Sequence, residues 1–159
     1  MSLVGALAGG FVGTVVLTTG LRLAQELGLT RMDIPLLLGT IFSQDRSRAK
    51  LIGYALHFFN GLIFSLLYAG VFFAVGQAGW LFGAVLGLVH AAFAGGALVN
   101  VLLPALHPHM GTPWSDARES PILEPAGFML RNYGRYTALA TTVAHLAYGA
   151  IVGGFAAGL

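Results

Sequence analysis

Long uncharged apolar runs alternate along this chain with two segments that hold all of its charged side chains. The uncharged runs extend from Met1 to Leu21, from Leu51 to Leu103 and from Tyr136 to Leu159. Crossing a bilayer core takes about 20 predominantly apolar residues, so each outer run supplies one span and the middle run supplies two. Gly76-Gln77-Ala78-Gly79 divides the middle run and predicts a tight helical hairpin. The pattern thus predicts one all-α membrane domain over 1–159, a four-helix bundle with spans at 3–26, 51–75, 79–103 and 136–158. Connections over 27–50 and 104–135 join them.

Composition points the same way. With 57% hydrophobic and 9% charged residues and a mean hydropathy of +0.81, a soluble domain of this size would lack the polar surface to cover itself. The first run has no basic segment ahead of it and no cleavage site leading into a soluble domain, so it reads as a retained helix rather than a secretory signal. The chain has no cysteine, which removes disulfides, thiolate metal sites and cysteine nucleophiles from consideration.

Basic residues fix the expected orientation. Arg22, Arg31, Arg46, Arg48 and Lys50 surround the first connection, and Arg118, Arg131 and Arg135 lie in the third. The positive-inside rule places both connections in the cytoplasm and both termini outside it. A helical rather than β-barrel design suits a bacterial inner membrane. The net charge of +2 is explained by this topology and gives no reason to expect nucleic acid.

Each cytoplasmic connection carries a partly apolar piece, Met32 to Gly39 in the first and Pro121 to Leu130 in the third. Both are expected at the membrane interface or folded back on the bundle. Asp33 is placed to cap a short helix with Pro35 in its first turn and Gly39 at its end. The two halves also share a layout: helix, long connection, then a helix opening with His-x-x-x-Gly. Aligning Leu56–Gly70 with Ala144–Gly158 matches the histidine, the first glycine, an isoleucine, an alanine and the last glycine. This suggests two duplicated hairpins related by an axis along the membrane normal.

Small residues predict which faces pack. Gly5, Gly9 and Gly13 in the first span and Gly79, Gly83 and Gly87 in the third fall four apart, and Gly149 and Gly153 add to the fourth. Such stripes let helix backbones approach closely, and they offer faces on which a partner's helix can dock. On that basis, Gly83→Leu with Gly87→Leu is expected to release the chain from a partner.

Three histidines, His57, His90 and His145, lie inside the apolar runs, and an ionisable group at that depth is a functional candidate. At 1.5 Å per residue, His57 and His145 lie roughly 10 and 13 Å from the cytoplasmic ends of their helices and His90 roughly 20 Å. His57 and His145, each beside a glycine and near one level, suit bis-histidine haem b, a singly ligated bacteriochlorophyll or a transition metal, with His90 as alternate ligand. Against this stands a purely structural role, each imidazole hydrogen-bonded to a neighbouring helix. His107 and His109, in His-Pro-His-Met, form a second metal candidate, although histidines at a helix C-terminus also suit the helix dipole. Asp33, Asp116, Glu119 and Glu124 share that face, as an ion vestibule would require.

No phosphate loop, nucleophile elbow, zinc-protease motif or intramembrane carboxylate pair is present, so no enzymatic activity is expected. Four spans without a broken helix leave little cavity for a transporter. The motifs Met32-Asp33-Ile34-Pro35, Leu38-Gly39, His57-Phe58, Gly61, Tyr68, Gly87, His90, Asn132-Tyr133-Gly134 and His145-Leu146-Ala147-Tyr148-Gly149 resemble the signatures of a family of small uncharacterised bacterial four-helix membrane proteins. That resemblance implies the architecture and a role for Asp33 and the three histidines, but no substrate. The expected function is that of an accessory subunit packed in lipid against a larger respiratory or photosynthetic complex. A haem-, pigment- or metal-binding protein is the first alternative and an oligomeric ion or solute conductor the second.

Overall fold

The computed structural model describes residues 1–110 and 123–158. Asp116, Glu119, Arg118 and the Pro121-Ile122 start of the second apolar piece lie outside them. Among the described residues the chain is helical, with one isolated bridge between Met110 and Leu123. The elements are α1 (Leu3–Glu26), α2 (Ile34–Gly39), α3 (Arg46–Val75), α4 (Trp80–Phe93), a π-helical stretch (Ala94–Leu102), α5 (Leu103–Leu106), a 3-10 turn (Phe128–Tyr133) and α6 (Thr137–Ala157). Four helical rods, α1, α3, Trp80–Leu106 and α6, are long and apolar enough to cross a membrane.

Local chemistry explains where these rods begin and end. Ser2 caps α1 by accepting the Gly5 N–H at 3.0 Å. Asp45 caps α3 by accepting the Arg48 N–H at 2.8 Å, so α3 starts more than a turn before the apolar run and carries Arg46, Arg48 and Lys50 past its end. Gly76 closes α3 at φ 74°, a left-handed conformation that glycine adopts without a Cβ penalty.

The third rod does not stop at Leu103, as the apolar run predicts, but passes through Pro104 to Leu106. A proline ring clashes with the carbonyl four residues back, here Asn100. The π-helical stretch just ahead of Pro104 widens the helix and opens room for the ring. Gly95 and Gly96 ease the widening, and the Asn100 amide donates to their carbonyls at 2.8 and 2.9 Å.

α6 packs between α1 and α4. Added Cβ atoms at Gly5, Gly9 and Gly13 would meet Phe155, Val152 and Tyr148 of α6. At Gly83 and Gly87 they would strike the carbonyls of Gly149 and His145, and at Gly153 the carbonyl of Gly79. Backbones that close gain dispersion contacts, the main attraction between helices in lipid. The Ser2 N–H donates to the Ala156 carbonyl at 2.8 Å, which joins both chain ends at one end of the molecule. The Gly76–Gly79 turn lies at that end too.

The connections meet at the other end. The Thr30 and Thr137 hydroxyls bond at 2.7 Å, the Arg31 N–H donates to the Tyr133 carbonyl at 2.7 Å, and the Arg31 guanidinium pairs with Glu124 at 3.1 Å. α2 lies against α3, with Gly39 on Ala49 and Gly53 on Pro35. Of the alternatives the sequence leaves for this piece, it takes the folded-back one. Asp33 caps it through the Leu36 N–H at 3.0 Å and pairs with Lys50 at 2.9 Å.

Candidate intramembrane ligand site

The same helical faces that carry the glycines carry the histidines. Gly83, Gly87 and His90 follow one another at helical spacing on α4, as do His145, Gly149 and Gly153 on α6. Close packing of these stripes brings the His90 and His145 rings edge to face, 4.6 Å between centroids. His90 stacks on Phe64 at 3.7 Å, and its Nδ1 lies 3.3 Å from the Tyr68 hydroxyl. Tyr148 packs against both Tyr68 and His90 and donates its hydroxyl to the Gly61 carbonyl at 2.5 Å. The His145 Nδ1–H donates to the Thr141 carbonyl at 2.8 Å, which leaves the Nε2 lone pair free.

All three histidines line one cavity of about 350 Å³. Its walls come from α2, α3 and the Trp80–Leu106 rod, with α1 and α6 behind. The expectation of little internal space is therefore overturned. The physical reason is the splayed contact between α3 and the third rod, bridged mainly by aromatic pairs such as Phe64–His90 and Phe72–Phe82. The π-helical stretch borders the space through Ala94, Leu98, Val99 and Leu102, and Leu130, from the third connection, reaches in. To place Leu130 there the chain turns through two non-glycine residues in left-handed conformation, Met129 at φ 53° and Leu130 at φ 62°, a backbone state that the surroundings must hold in place.

The cavity is graded. Toward the connection end it is aliphatic, lined by Leu37, Ile41, Leu103 and Leu106, and it opens beside Phe42, Leu102 and Leu106, all exposed. Its deep end holds His57, Asn60, His90, Thr141, His145 and Tyr148. Among the described residues none that lines it is acidic or basic apart from histidine. Two polar atoms of these lining residues, His57 Nε2 and Thr141 Oγ1, are buried in the wall without a hydrogen-bond partner. Most buried polar groups are bonded, so these two are the exceptions to be explained.

His57 also borders a second, polar pocket of about 20 Å³, the size of one water, shared with Arg22, Gln25, Asp33 and Tyr54. Asp33 and His57 thus face one space, although the carboxylate is already engaged as a cap and with Lys50.

His107 and His109 stand apart from this cluster. His107 Nδ1 accepts the His109 N–H at 3.1 Å, and its Nε2–H donates to the Leu37 carbonyl at 3.0 Å beside the Thr40 hydroxyl at 3.1 Å. Both ring nitrogens are engaged, Nδ1 in the local turn and Nε2 in docking the end of α5 to α2. Among the described residues no group of three or more histidine, aspartate or glutamate side chains is placed to hold a metal ion.

The sequence singles out the three histidines, but not Phe64, Tyr68 or the unpaired Thr141 hydroxyl as members of one site. The signal for the first two is spacing: His57, Gly61, Phe64 and Tyr68 recur at helical intervals on one face of α3. Comparison with family models, curated proteins and solved structures gives no match, so the family resemblance rests on the sequence motifs alone.

Proposed function

We propose that this chain is a non-catalytic multi-pass protein of the bacterial inner membrane that holds a lipophilic small molecule in its cavity. The observation that carries this reading is the graded space itself, aliphatic at its mouth and ending among three histidines, Asn60, Thr141 and Tyr148. Ligand sites are typically concave, mostly apolar and supplied with a few well-placed polar groups. In this reading the four rods form one bundle of two related hairpins. The end that carries Arg31, Arg46, Arg48, Lys50, Arg131 and Arg135 faces the cytoplasm, and the ligand enters from the inner leaflet beside Phe42 and Leu106.

The test is labelling by a photoreactive apolar probe in mild detergent. Wild-type chain is expected to be tagged on α2 and the π-helical stretch, and Leu98→Trp, which fills the cavity, is expected to lose those tags with its helicity intact. Equal tagging of both proteins, confined to the outer helix faces, overturns the reading.

One observation favours a second reading. A ligating histidine usually donates its other N–H to a carbonyl, as His145 does to Thr141. A pigment or metal held by His145 Nε2 alone fits this geometry; a haem clamped between His90 and His145 does not, because rings at 4.6 Å leave no space for the macrocycle. An absorption band lost in His145→Ala supports it. Docking on a respiratory or photosynthetic complex is a further proposal. It has to use the outer flanks, such as the surroundings of Gly20 and Gly70 where an added Cβ meets nothing, because the glycine stripes are covered by α6 within the chain.

A further inference from the structure

We infer that the cavity takes a neutral, ring-headed lipid of the quinone or quinol class, its head at His57 and Thr141 and its tail along the aliphatic mouth. This rests on the ligand-binding reading above and names the class of ligand.

The head must be uncharged. Among the described residues no aspartate, glutamate, lysine or arginine lines the cavity, so a phosphate, a carboxylate or an ammonium group would enter a low-dielectric space without a counter-ion from them, at large cost. This disfavours phospholipids and ionised fatty acids, the commonest molecules nearby. It also leaves the ligand to be recognised by hydrogen bonds and shape.

The hydrogen-bonding groups are already set aside. In lipid, a helical threonine ordinarily returns its hydroxyl to the carbonyl four residues back. Thr14, Thr18 and Thr142 do this at 2.7, 2.6 and 2.8 Å. Thr141, 1% exposed, does not: it borders the cavity, and its hydroxyl is buried in the wall behind that surface without a partner. His57, on a different helix, also borders the cavity, and its Nε2 is the second buried atom without a partner. A head that presents carbonyl or hydroxyl oxygens satisfies both once a side-chain rotation turns them to the cavity, whereas a hydrocarbon satisfies neither.

The walls select a flat head. Phe64, His90 and Tyr148 contribute ring faces and edges around the deep end, and Phe64 with His90 already shows the stacked geometry. Aromatic groups favour offset-stacked and edge-to-face neighbours. The aliphatic mouth at Leu37, Ile41, Leu98 and Leu103 then takes the tail.

The experiment is equilibrium binding of decyl-benzoquinone to the full-length chain in nanodiscs, with dodecanol and palmitate as competitors. The expected result is saturable binding of the quinone that neither competitor displaces. Thr141→Val, which keeps shape and removes the hydroxyl, is expected to weaken binding about tenfold, and His57→Phe likewise, with affinity largely restored in His57→Gln. Far-UV circular dichroism checks that each variant folds, and Leu98→Trp, which fills the tail channel while keeping both polar groups, supplies an independent loss. If dodecanol or palmitate competes as well as the quinone, or Thr141→Val binds with unchanged affinity, the class assignment fails while the ligand-binding reading stands. If no probe binds and the photoreactive label also avoids the cavity, both fail.

Discussion

Replacing Gly149 with alanine tests whether the close approach of α4 and α6 builds the site. An added methyl at Gly149 falls on the Gly83 carbonyl oxygen and lies 2.9 Å from both Cα and N of Gly87. Carbon contacts settle at about 3.5–4.0 Å, and the tightest contact, on the carbonyl oxygen, sets the shift, so the axes have to separate by more than about 1 Å at this level. A radial gap of about 0.5–1 Å already forfeits a quarter to a half of each contact's attraction. The Gly87, Gly153 and His145 contacts on the same stripe all weaken together, and overpacking of this kind costs about 1–3 kcal/mol. The assay is reversible unfolding in mixed micelles, followed by circular dichroism. Gly70→Ala is the control, since a Cβ there meets nothing and alanine favours helix by about 0.8–1 kcal/mol. Gly83→Ala combined with Gly149→Ala is expected to cost less than the sum of the single changes, because the first methyl has already parted the helices. If Gly149→Ala behaves like Gly70→Ala, the packing argument is refuted.

Further outcomes follow from the connection end and the π-helical stretch. Asn100→Leu leaves the Gly95 and Gly96 carbonyls without their side-chain donor and is expected to destabilise by about 1–3 kcal/mol; an unchanged Tm contradicts the role given to Asn100. Burial holds the His107 imidazole below its ordinary pKa, with the Leu37 carbonyl opposing in part. The unfolded chain therefore binds more protons below about pH 6.5, so the contribution is complete above that value and is lost as pH falls through the folded pKa. Comparing the Tm of wild type and His107→Gln across that range is expected to show a shallower acid decline in the variant, and parallel curves would rule this out. At Asp33, asparagine keeps the cap on Leu36 and drops the Lys50 ion pair, for a cost under about 1 kcal/mol, whereas alanine loses both, for about 0.5–2 kcal/mol from the cap alone. Equal losses for the two changes would mean that the ion pair, not the cap, holds α2.

Four apolar rods are legible in the sequence because a membrane demands long uncharged runs and little else disturbs them. The early start of α3 is harder to see, since hydropathy drops at Arg46 while Asp45 continues to cap the helix. The π-helical stretch leaves no mark on hydropathy at all; its traces are Gly95-Gly96, Asn100 and Pro104, which acquire meaning only together. Depth counting paired His57 with His145, yet the closest imidazoles are His90 and His145. Depth along a helix says nothing about rotation around it, whereas the glycines at 83 and 87 and at 149 and 153 do, since they fix which faces meet. The cavity escapes a reading by segments because it arises from what does not touch, namely the splay between α3 and the third rod. Thr141 escapes it because a helical threonine ordinarily bonds within its own helix, as Thr14, Thr18 and Thr142 do.

The most direct test of the account is native mass spectrometry of the intact chain purified from its own membrane in mild detergent. The account predicts one neutral adduct per chain, absent from Leu98→Trp and diminished in Thr141→Val. A bare chain, or an adduct that Leu98→Trp retains in full, would contradict it.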